Sequence, residues 1–178
     1  VVDGATAAYN IPMSHWLPGT LPVASVRCAL HGVFDRHAVL RTTYEVGASD
    51  GGFAQRVDVR LGADGSLPMV REVHVEDVDA AGGLVGSDAS RGFELLSTER
   101  GGVLRCLLVR VGAVVGSASC QQLMHINVHH VAFDGASTAL LLSELDALML
   151  VARNVDTDGA SALFKLAIQY VDYALWQR

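Results

Sequence analysis

Two apolar segments in the middle of the chain constrain its fold more than any other feature. Residues 102–112 (GVLRCLLVRVG) and 118–128 (ASCQQLMHINV) are rich in β-branched and apolar residues and are separated by a short Gly-bounded stretch. Runs of this kind between turn residues predict strands. Residues 136–152 follow almost directly and form an apolar segment too long for a strand, which predicts a helix. The centre of the chain is therefore expected to be a sheet with a long helix beside it.

The rest of the chain mixes strand and helix patterns without strict alternation. Further strands are predicted by β-branched-rich runs at 39–46, 53–59 and 68–78, the first two joined as a hairpin through the turn 48–52. Further helices are predicted at 22–36, with Pro22 in the first turn, and at 161–177, after a polar linker at 153–159. The Gly-rich stretch 80–93 fits a short helix or a loop, and its glycines do not match a phosphate-binding spacing. This order predicts an α+β fold or a mixed sheet.

Composition excludes several classes of protein. The 178 residues fit one domain with a substantial core, and 51% are hydrophobic. The net charge is −6 without a basic stripe, which argues against nucleic-acid binding. The apolar stretch 136–152 is interrupted by Ser143, Glu144 and Asp146, so we expect a helix buried on most sides and no membrane span.

The three cysteines, Cys28, Cys106 and Cys120, are odd in number, and no CxxC pair is present. They are interpreted as reduced core residues of a cytoplasmic protein, and not as a disulfide framework or a structural zinc site.

The stretch 124–137, MHINVHHVAFDGAS, concentrates three histidines in apolar surroundings. In a strand, side chains alternate between two faces. One face would then carry Met124, Ile126, Val128 and His130, and the other His125, Asn127 and His129. His125 and His129 would lie roughly 13 Å apart along the strand, too far to share a metal unless the strand bends. Hydrogen-bonded core histidines are the alternative for these two.

His130 differs because it lies where the strand ends, shortly before a predicted helix. A neutral imidazole held there can accept a proton near physiological pH. Asp134 could orient it, cap the helix, or pair with an arginine. Gly135 would let a ligand approach the backbone closely, near helix-start amides that favour negative charge.

The same residues resemble the condensation domains of nonribosomal peptide synthetases. HHVAFDG is similar to their HHxxxDG signature, a shorter version of which occurs in chloramphenicol acetyltransferase-like enzymes. Matching stretches occur in the family's order and span nearly the whole chain. They are YNIP (9–12) with 17–30, RHAVLRTTY (36–44, RHxxLRT), 91–109, HHVAFDG (129–135) and YVDYALWQR (170–178, YxDYAxWQ).

The resemblance implies a chloramphenicol acetyltransferase-like α/β sandwich, with a mixed sheet flanked by helices, as one lobe of a two-lobed domain. Residues 1–178 would be the N-terminal lobe, with the family's front motif and the C-terminal lobe absent. The resemblance assigns catalysis to His130 and a structural role to His129. It implies that Asp134 holds the loop through an ion pair with an arginine, for which Arg36 and Arg41 are candidates on this lobe and the absent lobe is the alternative source. On chemical grounds, backbone N–H groups near Gly135 are candidate oxyanion donors.

The implied reaction is amide formation between a thioester donor and an aminoacyl acceptor, in the cytoplasm. Donor and acceptor carrier domains would deliver both substrates on phosphopantetheine arms, and the chain would bind no cofactor or metal of its own. Further partners would be the C-terminal lobe and, through exposed apolar surface, a second copy of the lobe. No nucleic-acid or membrane partner is expected.

Other functions remain open from the sequence. Epimerisation domains share the histidine loop, often followed by Ser-Trp, whereas this chain has Ser137-Thr138. Heterocyclisation domains, which replace the histidines by aspartates, do not match. A free-standing acyltransferase of the same superfamily is possible, but 170–178 favours the synthetase branch. The last alternative is a catalytically inactive structural or carrier-docking lobe.

Overall fold

The structure is a computed structural model. It describes residues 6–46, 53–57, 69–95, 102–112, 120–153 and 163–177. Several predicted features lie outside the described residues, namely the turn 48–52, most of the linker 153–159 and most of the stretch between the two central strands.

The described residues form six strands in two sheets. These are β1 (Asn10–Trp16), β2 (Thr42–Val46), β3 (Phe53–Val57), β4 (Met69–Val75), β5 (Leu104–Val111) and β6 (Gln121–His129). The larger sheet has the order β1-β6-β5-β4, with β4 parallel to β5 and the other two pairings antiparallel. β2 and β3 form a separate antiparallel hairpin, as predicted.

Helices cover both faces of the larger sheet. α1 (Val23–Arg36) and α3 (Gly135–Arg153) lie on one face and α2 (Val78–Ser90) on the other. The last helix, α4 (Tyr170–Trp176), packs against the 3₁₀ turn at Ala38–Arg41. The main core lies between the sheet, α1 and α3, and a smaller apolar cluster lies between the opposite face and α2. This mixed sheet between helices confirms the predicted α+β class.

The side chains of β6 alternate as the sequence predicts. Met124, Ile126 and Val128 are buried in the main core. Leu123 belongs to the cluster under α2, and Asn127 bonds to α2 on that same side of the sheet. The α2 face of the strand therefore carries both apolar Leu123 and polar Asn127, whereas alternate residues 124, 126 and 128 lie in the main core.

α1 forms where apolar residues recur at helical spacing. Val26, Leu30, Val33 and Phe34 are at most 1% exposed and line the face that meets the sheet and α3. Gly32 permits this close packing, because a Cβ there would lie 3.0 Å from Cδ1 of Leu148. Pro22 is the N-cap residue, so the prediction that it lies within the first turn was wrong by one position.

The expectation that α3 is buried on most sides was wrong. Leu141, Glu144 and Leu145 are buried, whereas Leu140 and Leu150 are about half exposed. The sheet and α1 cover one side of α3, so only one stripe of it lies in the core. By length and composition alone, residues 135–152 could cross a membrane. In this fold, however, that segment carries a buried carboxylate that pairs with α1.

Two predicted elements are shorter in the structure. The strand predicted at 39–46 begins only at Thr42, after a 3₁₀ turn at Ala38–Arg41. The helix predicted at 161–177 is limited to α4. Gln169 and Asp172 form a capping box that starts the helix at Tyr170, and residues 163–169 are not helical. Asp77 caps a helix that covers most of the ambiguous Gly-rich stretch, so Gly82, Gly83 and Gly86 lie within α2 and Gly92 follows it.

The cysteines are only partly core residues. Cys106 is buried, Cys120 is intermediate and Cys28 is exposed on α1, and none of them forms a disulfide. Burial raises the pKa of the Cys106 thiol to about 12. The prediction of three core cysteines was therefore wrong for Cys28, which falls on the outer side of its helix.

Candidate functional site

The histidine segment ends β6 in a tight turn that leads into α3. The His129 N–H donates to the carbonyl of Val103 (2.8 Å) on one side, and the His130 N–H donates to the carbonyl of Tyr9 (2.8 Å) on the other. The N–H of Ala132 then donates to the His129 carbonyl (3.0 Å), which closes the turn. The backbone at both histidines is therefore fixed by neighbouring elements.

His130 presents an exposed side chain from this fixed backbone. Its side chain forms no hydrogen bond or ion pair within the described residues. A side chain on a rigid backbone, with both ring nitrogens available, can accept a proton from a bound molecule or orient it by a hydrogen bond.

His129 points into the fold. It is 8% exposed, and its Nδ1 accepts a hydrogen bond from the Val131 N–H (3.1 Å). Its ring lies between those of Tyr9 and Phe93, with centroids 5.9 and 5.8 Å away. Burial, aided by the charge of neighbouring His130, lowers the pKa of His129. This geometry suits a neutral histidine that supports the loop.

Asp134 caps α3. Its Oδ1 accepts hydrogen bonds from the N–H (2.9 Å) and Oγ (2.6 Å) of Ser137. Both bonds lower the pKa of the exposed Asp134 carboxyl, and the bond from the Ser137 hydroxyl contributes most. The carboxylate thus satisfies donors at the helix start, one of the three roles that the sequence left open.

Neither candidate arginine pairs with Asp134. Arg36 Nε donates to Glu144 Oε1 (2.8 Å), and Arg41 donates to the carbonyls of Phe34 and Asp35 (both 3.1 Å) at the end of α1. The suggested ion pairs are therefore absent from the described residues. Both guanidinium groups already have acceptors next to α1.

Gly135 begins α3, and a Cβ added there would meet no atom within 4 Å. The space beside it is open to a ligand. The nearby amide of Ser137 is occupied by Asp134, and so is not available as an oxyanion donor. Within the described residues, no acceptor is found for the N–H of Gly135 itself.

The RHxxLRT stretch anchors α3 and the start of α4. Glu144, buried on α3, accepts from Arg36 and also from His37 Nε2 (2.6 Å). The side chain of Gln169 accepts from the Ala38 N–H (2.9 Å) and donates to the Arg36 carbonyl (3.0 Å). Sequence reasoning missed both Glu144 and Gln169. The signal for Glu144 was a carboxylate within an apolar helix, four residues from Leu140 and next to Leu145.

A second polar cluster, also missed, lies on the α2 face of the sheet. Asp88 pairs with Arg105, whose Nε lies 2.9 Å from Oδ1 and 3.0 Å from Oδ2. His125, fully buried, lies 2.8 Å from Ser14 Oγ and 3.5 Å from Asp88 Oδ2. Burial alone would raise the pKa of Asp88, but neighbouring His125, Arg105 and Asn127 outweigh it and lower that pKa well below its usual range.

His125 is thus a hydrogen-bonded core histidine, the alternative to metal binding. The described residues contain no group of three or more His, Cys, Asp or Glu side chains placed to hold a metal ion.

A small apolar cavity lies beneath the histidine loop. It has a volume of about 70 Å³, and its walls include Ala132, Phe133, Leu140 and His37. Ligand sites usually measure about 300–1,000 Å³, so this cavity is too small for an acyl chain on a carrier arm. The side of the loop on which His130 is exposed remains open to such a substrate.

Comparisons with known proteins agree on a single family. The family model described as "Condensation domain" matches residues 1–178. Malpibaldin synthetase of Mortierella alpina is 30% identical over 99% of this chain, which spans 3% of that protein. Phosphinothricin tripeptide synthetase PhsC of Streptomyces viridochromogenes is 34% identical over 96% of this chain, which spans 14% of it.

Solved structures share the fold. The X-domain from teicoplanin biosynthesis has a TM-score of 0.76 at 24% identity, covering 97% of this chain and 34% of its own. The condensation domain of the Monacolin K polyketide synthase MokA has a TM-score of 0.73 at 21% identity, with coverages of 97% and 34%. These likenesses show the chloramphenicol acetyltransferase-like fold that the sequence implied. The chain therefore belongs to the condensation-domain family of nonribosomal peptide synthetases.

Proposed function

We propose that this segment supplies the histidine loop for amide bond formation in nonribosomal peptide synthesis. The donor is an acyl or peptidyl thioester, and the acceptor is an aminoacyl thioester with a free amine. The observation that carries the proposal is the exposed side chain of His130 on a backbone held by Tyr9. Condensation domains are acyltransferase-type enzymes, which fits this loop.

The reaction needs positioning and the transfer of one proton. The acceptor nitrogen attacks the thioester carbonyl and forms the C–N bond. The C–S bond then breaks, and the proton lost by the amine ends on the thiol of the donor arm. His130 either accepts that proton or orients the amine by a hydrogen bond, and holding the two reactants together lowers the barrier further. The N–H of Gly135, at the start of α3, is the proposed oxyanion donor.

The proposed role of Asp134 differs from the ion pair suggested by the family resemblance. By capping α3 through Ser137, it fixes the junction between the loop and the helix. Its contribution to catalysis would be indirect, through the position of the loop.

We propose that residues 1–178 form the N-terminal lobe of a two-lobed domain. The chain covers about a third of the solved condensation-domain structures that it matches. Its C-terminal helix α4 has no buried residue, and Tyr173 and Trp176 on it are 47% and 80% exposed. A C-terminal lobe would cover this apolar surface and close the site.

The proposed partners follow from this arrangement. Donor and acceptor carrier domains bring phosphopantetheine arms to the loop from opposite sides, in the cytoplasm, and the lobe itself holds no cofactor. In isolation the exposed face of α4 would favour a homodimer, because two copies could bury the same apolar surface against each other.

The second candidate function is an inactive structural or carrier-docking lobe. It is favoured by the small volume, about 70 Å³, of the apolar cavity beneath the loop. An epimerisation domain or a free-standing acyltransferase of the same superfamily would use the same histidine. Each would be recognised by its product.

The deciding experiment joins this segment to a C-terminal lobe and measures amide formation from carrier-bound substrates. His130→Ala is expected to lower the rate about 10²- to 10⁴-fold, the usual contribution of a general acid or base. His74→Ala, at an exposed histidine on β4, is the matched control and should leave the rate unchanged. A His130→Ala rate within about threefold of wild type would exclude the catalytic role, since that is far below this contribution.

A further inference from the structure

One aromatic side chain, Phe93, links the buried ion pair under α2 to the histidine loop. Phe93 lies just after α2 and is 8% exposed. The guanidinium carbon of Arg105 lies 4.0 Å from the centroid of the Phe93 ring. The same ring meets the ring of His129 at an interplanar angle of 87°, with centroids 5.8 Å apart. Phe93 is therefore held by Arg105 and in turn contacts His129.

Arg105 is fixed and can hold the ring in place. Besides its two contacts with the carboxylate of Asp88, its Nη2 donates to the carbonyls of Asp88 (2.7 Å) and Arg91. The backbone that carries Phe93 is also fixed, because Asn10 Nδ2 donates to the carbonyls of Ala89 and Arg91 (both 2.8 Å). A guanidinium over an aromatic face is itself an attractive contact.

The bond between His129 and Val131 defines the tautomer of the His129 ring. The Val131 N–H can only donate, so Nδ1 of His129 must carry no proton. The neutral ring then carries its proton on Nε2. Because Val131 directly follows His130, this bond joins the two residues on either side of His130, whose side chain is exposed. Rotation of the His129 ring would break this bond and leave the Val131 N–H without its acceptor, while the backbone bond from Ala132 to His129 would remain.

We propose that Phe93 is a positioning residue for His130 and that it acts through His129. The proposal rests on the function proposed above. Phe93 and Tyr9 flank the His129 ring and keep Nδ1 directed at Val131. That bond adds to the backbone bond from Ala132 that closes the turn, and so narrows the range of orientations in which His130 is presented. In this proposal the loop is supported from the sheet side by the edge-to-face packing of Phe93 against His129, and not by an ion pair of Asp134.

The test uses the complete two-lobed domain and compares Phe93→Leu with Phe93→Tyr. Leucine removes the ring at little cost in volume, whereas tyrosine keeps it. The ¹⁵N shifts of the His129 ring report which nitrogen is protonated, and steady-state amide formation gives kcat and KM. In the wild type we expect an unprotonated Nδ1. For Phe93→Leu we expect a mixture of tautomers and a kcat about 2- to 10-fold lower, the equivalent of one aromatic pair.

KM for the carriers should stay unchanged, and Phe93→Tyr should restore both the tautomer and kcat. If Phe93→Leu does not fold, the same measurements are made on Phe93→Met. The proposal is overturned by a protonated Nδ1 in the wild type, or by a ring-less variant that keeps both the wild-type tautomer and the wild-type kcat. If the wild-type domain forms no amide, the proposed function fails, while the tautomer measurement still decides whether Phe93 holds His129.

Discussion

Removing the buried carboxylate of Glu144 should destabilise the chain. The side chain is 4% exposed and accepts from Arg36 (2.8 Å) and His37 (2.6 Å), which are themselves less than one-fifth exposed. Two hydrogen bonds to a charged group contribute about 1.5–3 kcal/mol each. Breaking a buried pair by deleting one partner costs about 3–5 kcal/mol. Because Arg36 and His37 are still partly exposed to water, we expect Glu144→Ala to lower the free energy of unfolding by about 3 kcal/mol, at the low end of that range.

Urea unfolding of the purified chain measures this loss. The matched control is Asp146→Ala, an exposed carboxylate on the same helix, which should change the free energy of unfolding by less than about 0.5 kcal/mol. Glu144→Gln keeps one acceptor oxygen and should fall between the two. A broken buried pair costs well over ~1 kcal/mol. If the free energies of unfolding of Glu144→Ala and Asp146→Ala differed by less than about 1 kcal/mol, the RHxxLRT stretch would not anchor α3.

Four further predictions concern protonation, capping and thiol reactivity. The depressed pKa of Asp88 stabilises the fold above the unfolded value of about 3.9, and this stability is lost as pH falls through the folded pKa. Asp88→Asn should therefore make the free energy of unfolding depend less on pH in the acid range. An unchanged pH dependence would contradict the assignment. His129, whose folded pKa is lowered by burial, takes up more protons when unfolded, so stability should fall as pH drops below about 6.5. His129→Asn should weaken that dependence in the same titration. Asp134→Ala should lower the melting temperature, and Asp134→Asn should retain most of it because an amide oxygen also caps. Equal losses for the two variants would instead favour a charge pair. Finally, exposed Cys28 should react with a disulfide reagent at pH 8 in the native state, and buried Cys106 only on unfolding, which absorbance of the released thiolate would follow.

The candidate site was predicted in part. His130 and Gly135 lie where the strand-to-helix pattern placed them, at the end of β6 and the start of α3. Of the three roles that the sequence left open for Asp134, the structure shows the cap, because its Oδ1 accepts from Ser137 only three residues away. Phe93 was not identified at all, since its contact with His129 depends on how the loop after α2 folds back.

Most local elements and the two faces of β6 could be predicted from the sequence. Both follow from side-chain periodicity, which depends only on neighbours a few residues away. The motif order also identified the family. Which polar and charged groups pair with each other could be seen only in the folded chain. Arg36 and Glu144 are 108 residues apart, and the chain from Gln169 back to Arg36 spans 133 residues. Pairings at such separations depend on how helices pack across the sheet, and local pattern carries no information about that packing.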